Sequence, residues 1–379
     1  MTVNKLLNPD LLRLRTLFQA QGFDLRFVGG CVRDTLLGLE PKDVDLHTDA
    51  NPHEQVAIYQ AAQVRYVETG LKHGTVTVVM NEVTYEITSL RQDVETDGRH
   101  ATVAYTRDWH VDLKRRDFTI NAMSLGFDGD LMDPFQGLEH LKIGLVHFVG
   151  DAEKRVQEDY LRILRWFRFR GRFGMSMSYS ARRAVEKLAQ GLQNISRERV
   201  WSEVSRILAG DDGPLLMAEM QALGIHRWID LPAVSANILD ADEVHTLTRH
   251  PVTMMVALYG MEAANVLVRW RASTNECQMA TWLNVYQGKG RRLQDLLAVD
   301  GVSREWVMEL AALRLEDDML RSMLAVWTVP VFPVSGHDVM ALGLSGPAVG
   351  KKLKTLKDAW AQSDYNMTRQ ELLCRCIHA

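Results

Sequence analysis

The sequence lacks the marks of a membrane-spanning, secreted or disulfide-built protein. None of its 379 positions begins a run of eighteen apolar residues, whereas a spanning helix needs about twenty. Residues Met1 to Asp10 carry no basic stretch followed by an apolar one, which points to the cytoplasm. Cysteine is scarce and scattered (Cys31, Cys277, Cys374, Cys376), and the terminal Cys-x-Cys is not a zinc spacing. Reduced thiols are therefore expected. Positive charge is not in excess either: the net charge is −4, which argues against a protein that simply coats nucleic acid. With 46% hydrophobic and 24% charged residues, the chain belongs to the globular class, and its length predicts two or three domains.

What is present is unevenly spread. Residues 151–210 hold thirteen Lys or Arg against seven Asp or Glu. A basic segment inside an acidic chain is the footprint of a defined polyanion site, or else of a solvated helical face.

The first third mixes strand and helix signals. An amphipathic helix is expected over Leu11 to Ala20, a strand over Leu25 to Val28, and a helix from Val32 to Leu37 stopped by Gly38. Val44 to Leu46 reads as a second short strand. Thr75 to Met80 and Val83 to Thr88 are β-branched runs around Asn81-Glu82, which predicts a hairpin. Arg91 to His110 is polar and unpatterned, and a mobile loop is expected there. From about Gly150 onward the pattern is helical: one helix over Glu153 to Arg172, one over Ser180 to Gly191, and a third to Leu208 capped by Asn194 or Ser196. Helical segments continue to Ala379, broken at Gly213-Pro214, Pro232, Pro251, Gly288 to Gly290 and Pro330 to Pro333. The expected fold class is α+β, a small mixed-sheet head followed by an all-helical remainder.

Several motifs carry chemistry. Gly29-Gly30 lies between a strand and a helix, where the backbone can approach a phosphate and helix N–H groups face the anion. Arg33, one turn on, adds a forked donor for a triphosphate oxygen. In Asp43-Val44-Asp45, residues two apart in a strand share a face, so the carboxylates of Asp43 and Asp45 converge. Magnesium binds such oxygen donors together with substrate phosphates. A lone Asp-x-Asp is more often a solvated strand end; thirteen residues after a Gly-Gly-x-x-Arg turn, a metal pair is the better reading. Glu86 alternates with Tyr85 and Ile87, which directs it to the opposite face as a candidate third carboxylate or a plain solvent-facing residue. Arg115, Arg116 and Asp117 offer phosphate donors and an acceptor suited to a ribose hydroxyl, or a surface salt-bridge cluster.

The basic segment contains the most telling array. Asp159, Arg162, Arg165 and Arg168 recur every three residues, a polar stripe on the expected helix, with Leu161, Leu164 and Phe167 as its apolar counterpart. Asp is an acceptor and Arg a donor. Cytosine and adenine each present an amine beside a ring-nitrogen acceptor, and uracil and guanine present the reverse order. One Asp–Arg pair can therefore accept C and A and reject U and G. The alternative is an intrahelical salt bridge.

Taken in order, these motifs resemble the class II tRNA nucleotidyltransferases, the CCA-adding enzymes. Gly29 to Asp34 with Asp43-Val44-Asp45 resembles motif A, and Arg115 to Ala122 motif B. Asp133-Pro134-Phe135-Gln136-Gly137 resembles motif C, Glu158 to Arg162 motif D, and Ile195 to Arg199 the neck-stabilising motif E. The resemblance is strong over about residues 22 to 210 and fainter over Phe332 to Leu373. It implies a curved molecule with a nucleotidyltransferase head (1–145), a base-recognising neck (146–212) and a helical body and tail that bind tRNA (213–379). It also implies addition of C, C and A to the tRNA 3′ end from CTP and ATP, with Mg²⁺. Asp43 and Asp45 match the metal ligands, and Glu86 the third catalytic carboxylate. Gly29, Gly30, Arg33, Arg116, Asp117, Asp159, Arg162, Arg165 and Arg168 fall at nucleotide-contacting motifs.

Near relatives are separated on the same grounds. CC-adding members have a shortened loop before motif B; Arg91 to His110, with Asp93 and Gly98-Arg99, looks full length. Bacterial poly(A) polymerases share the head motifs but usually carry a longer basic C-terminal extension, and here the pI is near 6.3. A non-enzyme alternative, an RNA-binding relative that has lost catalysis, is opposed by Asp43, Asp45 and Glu86. No paired His-Asp phosphohydrolase motif follows Gly210. Lys351, Lys352, Lys354 and Lys357 cluster on an expected helix that either grips tRNA or is merely solvated.

Overall fold

Alternating apolar positions sort the strands of the first third onto one mixed sheet. The computed structural model describes residues 3–68, 70, 74–96, 101–174, 176–234, 238–288 and 290–377. The strands are β1 (Leu25–Val28), β2 (Leu46–Thr48), β3 (Arg65–Val67), β4 (Thr75–Met80), β5 (Val83–Ser89), β6 (Arg91–Thr96), β7 (Ala101–Tyr105), β8 (Ser124–Leu125) and β9 (Leu131–Met132). Seven form a sheet in the order β3-β4-β5-β2-β1-β8-β9. All its pairings are antiparallel except β2 with β5, where Leu46 lies opposite Ile87. The helices around it are α1 (Pro9–Ala20), α2 (Gly30–Leu36), α3 (Pro52–Ala61), α4 (Trp109–Lys114) and α5 (Gly137–Lys142).

One face of this sheet makes the core. Leu25, Phe27, Leu46, Val76, Val78, Tyr85 and Ile87 pack with Leu11, Leu14 and Phe18 of α1 and with Ile58 and Tyr59 of α3. Asn8 caps α1 by accepting from the Leu11 N–H at 2.9 Å, and Pro9 supplies its first turn. Asn51 and Glu54 form a capping box on α3. The β4–β5 hairpin closes on Asn81 and Glu82, both at positive φ (47° and 66°), the two-residue turn whose twist suits the flanking strands. With the apolar residues committed to one side, the opposite face is left for chemistry.

Three expectations are corrected here. Residues from Arg91 on do not form an open loop: β6 and β7 pair as an antiparallel hairpin, with a register shift between Asp93 and Glu95. Ladder hydrogen bonds supply what apolar patterning does not. Gly98 and Arg99 lie outside the described residues. The second short strand begins at Leu46, so Asp43 and Asp45 stand on the segment that leads into β2. Glu153 to Arg172 is two helices, α6 (Ala152–Glu158) and α7 (Arg162–Phe173), parted at Asp159, whose backbone is extended (φ −154°, ψ 106°). Asp159 Oδ1 accepts from the Leu161 N–H at 3.1 Å, which opens α7 much as a cap residue does. Tyr160 fills the break by packing on Gly191, where an added Cβ would come within 2.0 Å of its ring.

The remaining neck elements are α8 (Tyr179–Leu188), a 3₁₀ turn over Ala189–Asn194, and α9 (Arg197–Leu208), which Ser196 precedes as its N-cap residue. Motif E ties them down. Arg197 pairs with Asp230 at 2.6 Å, and Arg199 pairs with Asp159 at 2.7 Å. In motif C, both oxygens of Asp133 accept backbone N–H groups, from Gly137 at 2.7 Å and Leu138 at 2.9 Å.

The chain divides into two compact units, Met1–Asp212 with Glu219–Leu231, and Gly213–Ala218 with Pro232–Ala379. Among the described residues, the regular elements of the second are all helices. The expected breaks at Pro214 and Pro251 are helix boundaries: the prolines sit in the first turns of Gly213–Ala222 and Pro251–Tyr259, where a missing N–H costs nothing. Val334, Val339, Leu356, Trp360 and Leu372 form a core cluster near its end. On Pro347–Gln362, Lys352 and Lys357 donate to the carbonyls of Arg375 (3.5 Å) and Val299 (3.1 Å), while Lys351 and Lys354 are exposed. Cys31, Cys277 and Cys374 are free thiols. Among the described residues no helix is long and apolar enough to cross a membrane.

Candidate active site

The face of the sheet opposite the core opens into a cleft of about 890 Å³. Its floor is the β1–α2 turn, its near wall the segment before β2, and its far wall α7 and the end of α9. Gly29 starts α2 with φ +73°, a conformation that favours glycine, and a Cβ there would lie 2.5 Å from Arg116 Nη1. Gly30, which lines the cleft, is less constrained: its Cβ would meet only Arg33 Nη2, at 3.6 Å.

Asp43 and Asp45 line this cleft. Both are exposed, and among the described residues neither carboxylate has a hydrogen bond or ion pair. Two unneutralised carboxylates in a cavity otherwise rich in arginine are an oxygen donor set suited to a hard divalent cation. Because Leu46 and Ile87 face each other in register and are buried, the preceding residues Asp45 and Glu86 both turn to the cleft side of the sheet. Glu86 is exposed but does not line the cleft. Among the described residues no three His, Cys, Asp or Glu side chains gather closely enough to hold a metal.

The cationic wall is held by a network. Arg33 is buried, bonded to Asp34 through Nε at 2.9 Å and to the Asn121 side chain, with its guanidinium 4.4 Å from the Phe173 ring centroid. Burial lowers its pKa, and Asp34 opposes the shift. Arg172 bridges to the same Asp34 at 3.1 Å. Asp117 Oδ2 accepts from Arg165 Nε (2.8 Å) and Nη2 (2.5 Å), while Oδ1 accepts from the Phe118 N–H (2.8 Å) and Asn121 Nδ2 (3.1 Å). A carboxylate has about four acceptor sites, so a ribose hydroxyl reaches Asp117 only by displacing a donor already there. Burial raises the Asp117 pKa, but Arg165 and Asn121 outweigh it and the group is held low. Arg168 pairs with Glu203 at 3.1 Å, and burial brings its pKa down to about 10.

Asp159 and Arg162 line a second, smaller cavity of about 330 Å³. Arg116, Asp117 and Arg165 are common to both cavities, so the two share a wall. The backbone N–H of Arg162 donates to the Asp159 carbonyl at 3.0 Å, but their side chains pair elsewhere. Asp159 takes Arg199, and Arg162 Nη1 donates to Glu158 (2.7 Å) and to the Arg155 carbonyl (2.9 Å). The break between α6 and α7 means the expected continuous stripe does not exist; the shared cavity brings the pair together instead. Lys42, Arg172 and Arg206 also line the large cleft and had no place in the sequence reading. Lys42 adjoins Asp43, and Arg172 extends the Arg162, Arg165, Arg168 series by four residues, which were the available signals.

Comparison with known proteins follows the same lines. Residues 25–147 match a family model described as the poly A polymerase head domain. Residues 174–236 match one described as a probable RNA and SrmB-binding site of polymerase A. The chain is 40% identical to the mitochondrial CCA tRNA nucleotidyltransferase 1 of Danio rerio, over 97% of its length and 90% of that relative. It is 38% identical to the Homo sapiens protein of the same name, with the same coverage. Against the CCA-adding enzyme of Leuconostoc mesenteroides it is 29% identical over 94% of its length and 92% of that chain. The crystal structure of Bacillus stearothermophilus CCA-adding enzyme in complex with CTP superposes with a TM-score of 0.77 at 27% identity, covering 94% of each chain.

Proposed function

The chain belongs to the CCA tRNA nucleotidyltransferases, and from that membership we propose how its residues divide the work. It adds C, C and A to the 3′ end of tRNA without a nucleic-acid template, using CTP and ATP and releasing pyrophosphate. The observation that carries the residue assignment is the shared wall. One cavity holds two unpaired carboxylates among arginines, and the other holds an acceptor and a donor for a base edge.

In this reading Asp43 and Asp45 hold Mg²⁺. The chemistry the metal would supply there is activation of the primer hydroxyl and charge neutralisation at the triphosphate and the departing pyrophosphate. Arg33 and Arg116 bind phosphate oxygens, and Gly29 and Gly30 let the backbone approach them. Asp117 acts chiefly by fixing Arg165, with Arg168 set by Glu203 beside it. Asp159 accepts the exocyclic amine of C or A while Arg162 donates to the neighbouring ring nitrogen. Glu86 supports the carboxylate pair from β5 as the third acidic group. The proposed division is a head over 1–145, a neck over 146–212, and a body and tail over 213–379 that bind tRNA. For compartment we propose the cytoplasm; relatives at 38–40% identity are named as mitochondrial, and cell fractionation separates the two.

Polyadenylation is the weaker reading, because relatives aligned along nearly the whole chain are CCA enzymes whereas the poly A polymerase models cover only parts of it. The deciding experiment offers the protein CTP, ATP and a tRNA ending at its discriminator base, then sequences the products. Products ending in a single CCA support the reading; long tails of A alone overturn it.

A further inference from the structure

Behind the cleft wall lie two groups that the reading above leaves idle, His47 and Asp112. β2 places His47 two residues past Asp45, on the same face of the sheet. The His47 side chain is 8% exposed, and the Asp112 side chain in α4 is fully buried. His47 Nδ1 is 3.0 Å from Asp112 Oδ2, and its Nε2 is 3.3 Å from Arg116 Nη2. Asp112 also accepts from Arg115 Nε at 2.9 Å and from the Arg91 N–H at 3.3 Å, the surroundings of an ionised carboxylate. A carboxylate of that kind only accepts, and a guanidinium only donates. The ring between them therefore donates from Nδ1 to Asp112 and accepts at Nε2 from Arg116. One neutral tautomer satisfies both contacts.

Arg116 has little else to hold it. Its Nη1 reaches the Asn121 carbonyl at 3.4 Å, and its Nε finds no partner. Among the described residues, His47 is the only side chain to which it is bonded. Each terminal nitrogen thus keeps a hydrogen to spare, and Arg116 forms part of the wall common to both cavities. A carboxylate in direct contact would aim the guanidinium but also neutralise it. An interposed neutral ring aims it and leaves its charge for a phosphate.

We propose that His47 is a positioning residue for the incoming nucleotide: anchored on Asp112 through Nδ1–H, it presents Nε2 as the acceptor that turns the Arg116 guanidinium into the cleft. This rests on the assignment of Arg116 to nucleotide binding made above.

The test is steady-state kinetics with CTP, ATP and tRNA lacking its terminus. His47→Asn keeps a donor near the Nδ1 position but has nothing at Nε2, whereas His47→Gln returns an oxygen near Nε2. His47→Asn is expected to raise KM for both nucleotides about tenfold, as for one lost hydrogen bond to a charged group. kcat stays within about twofold and KM for tRNA is unchanged. His47→Gln recovers most of the loss, and His47→Asn added to Arg116→Ala costs nothing further. A fall in kcat and melting temperature at unchanged nucleotide KM, or full additivity with Arg116→Ala, overturns the proposal. If Arg116→Ala itself leaves nucleotide KM unchanged, the assignment of Arg116 fails and this inference with it. If Arg116→Ala raises KM and His47→Asn does not, the inference alone fails. Imidazole ¹⁵N spectra of the parent protein and Arg116→Ala decide the matter should the His47 variants not fold. A protonated Nδ1 and an Nε2 resonance that moves in Arg116→Ala are expected; a ring protonated at Nε2 overturns the proposal.

Discussion

Arg199 of α9 donates to Asp159 across 2.7 Å and so fixes the first of the three residues that separate α6 from α7. With Oδ1 taken up by the Leu161 N–H, this ion pair sets where the acceptor stands for a base. Arg199→Ala removes a charge-assisted hydrogen bond worth about 1.5–3 kcal/mol. Discrimination of CTP over UTP is expected to fall about tenfold or more with incorporation of CMP retained. Competition assays with the two nucleotides measure it, and an unchanged ratio rejects the role of Arg199.

Asp43→Ala leaves one carboxylate where two are needed to hold the cation. Several kcal/mol of charge stabilisation go with it, so single-turnover incorporation is expected to drop by at least about a thousandfold. Retention of the parent rate at saturating Mg²⁺ would show that the metal is held elsewhere.

The two glycines of the β1–α2 turn are predicted to behave differently. Gly29→Ala forces a side chain into φ +73° and against Arg116 Nη1 at 2.5 Å. It is expected to cost about 1–3 kcal/mol of stability and to raise nucleotide KM. Gly30→Ala meets only Arg33 Nη2, at 3.6 Å, and should leave both quantities close to the parent's. Thermal melts with steady-state kinetics compare them, and equal effects would remove the steric account of the turn.

Much of this turn was legible in the sequence, because local rules act there: a strand, two glycines, then a helix with Arg33 one turn in. The Asn81-Glu82 hairpin and the helix ending at Leu208 are local in the same sense. Asp159 shows the limit. Periodicity carried the helix straight through it, whereas its extended backbone depends on Arg199, forty positions away, and on Tyr160 seated against Gly191. The β6–β7 pairing was missed because its residues show no apolar alternation and their order comes from cross-strand bonds. Lys42, Arg172 and Arg206 meet at the cleft only through folding, and the His47–Asp112 contact joins residues 65 positions apart. No spacing rule reaches that far.

Asp112 predicts a pH dependence of stability. Burial alone would raise its pKa, but His47, Arg115 and Arg116 outweigh it and hold the folded carboxyl far below the usual range. In the unfolded chain Asp takes its proton near pH 4. The stabilisation it gives is therefore complete above that pH and is lost as pH falls below it. The difference in unfolding free energy between the parent and Asp112→Asn should be flat from pH 7 to about 5 and shrink below about 4. A difference independent of pH down to 3 would mean that Asp112 is not ionised in the fold.

The central claim is that the protein itself reads the base, through Asp159 and Arg162, beside a cleft that works on whichever nucleotide is admitted. Its most direct test offers CTP, ATP, UTP and GTP separately to the parent and to Asp159→Ala/Arg162→Ala, on tRNA ending at the discriminator base and on tRNA ending in CC. The parent is predicted to add only C to the first and only A to the second. The double variant is predicted to incorporate all four nucleotides at comparable, reduced rates while its Mg²⁺ dependence stays that of the parent. Unchanged selectivity for C and then A in the double variant would contradict the account.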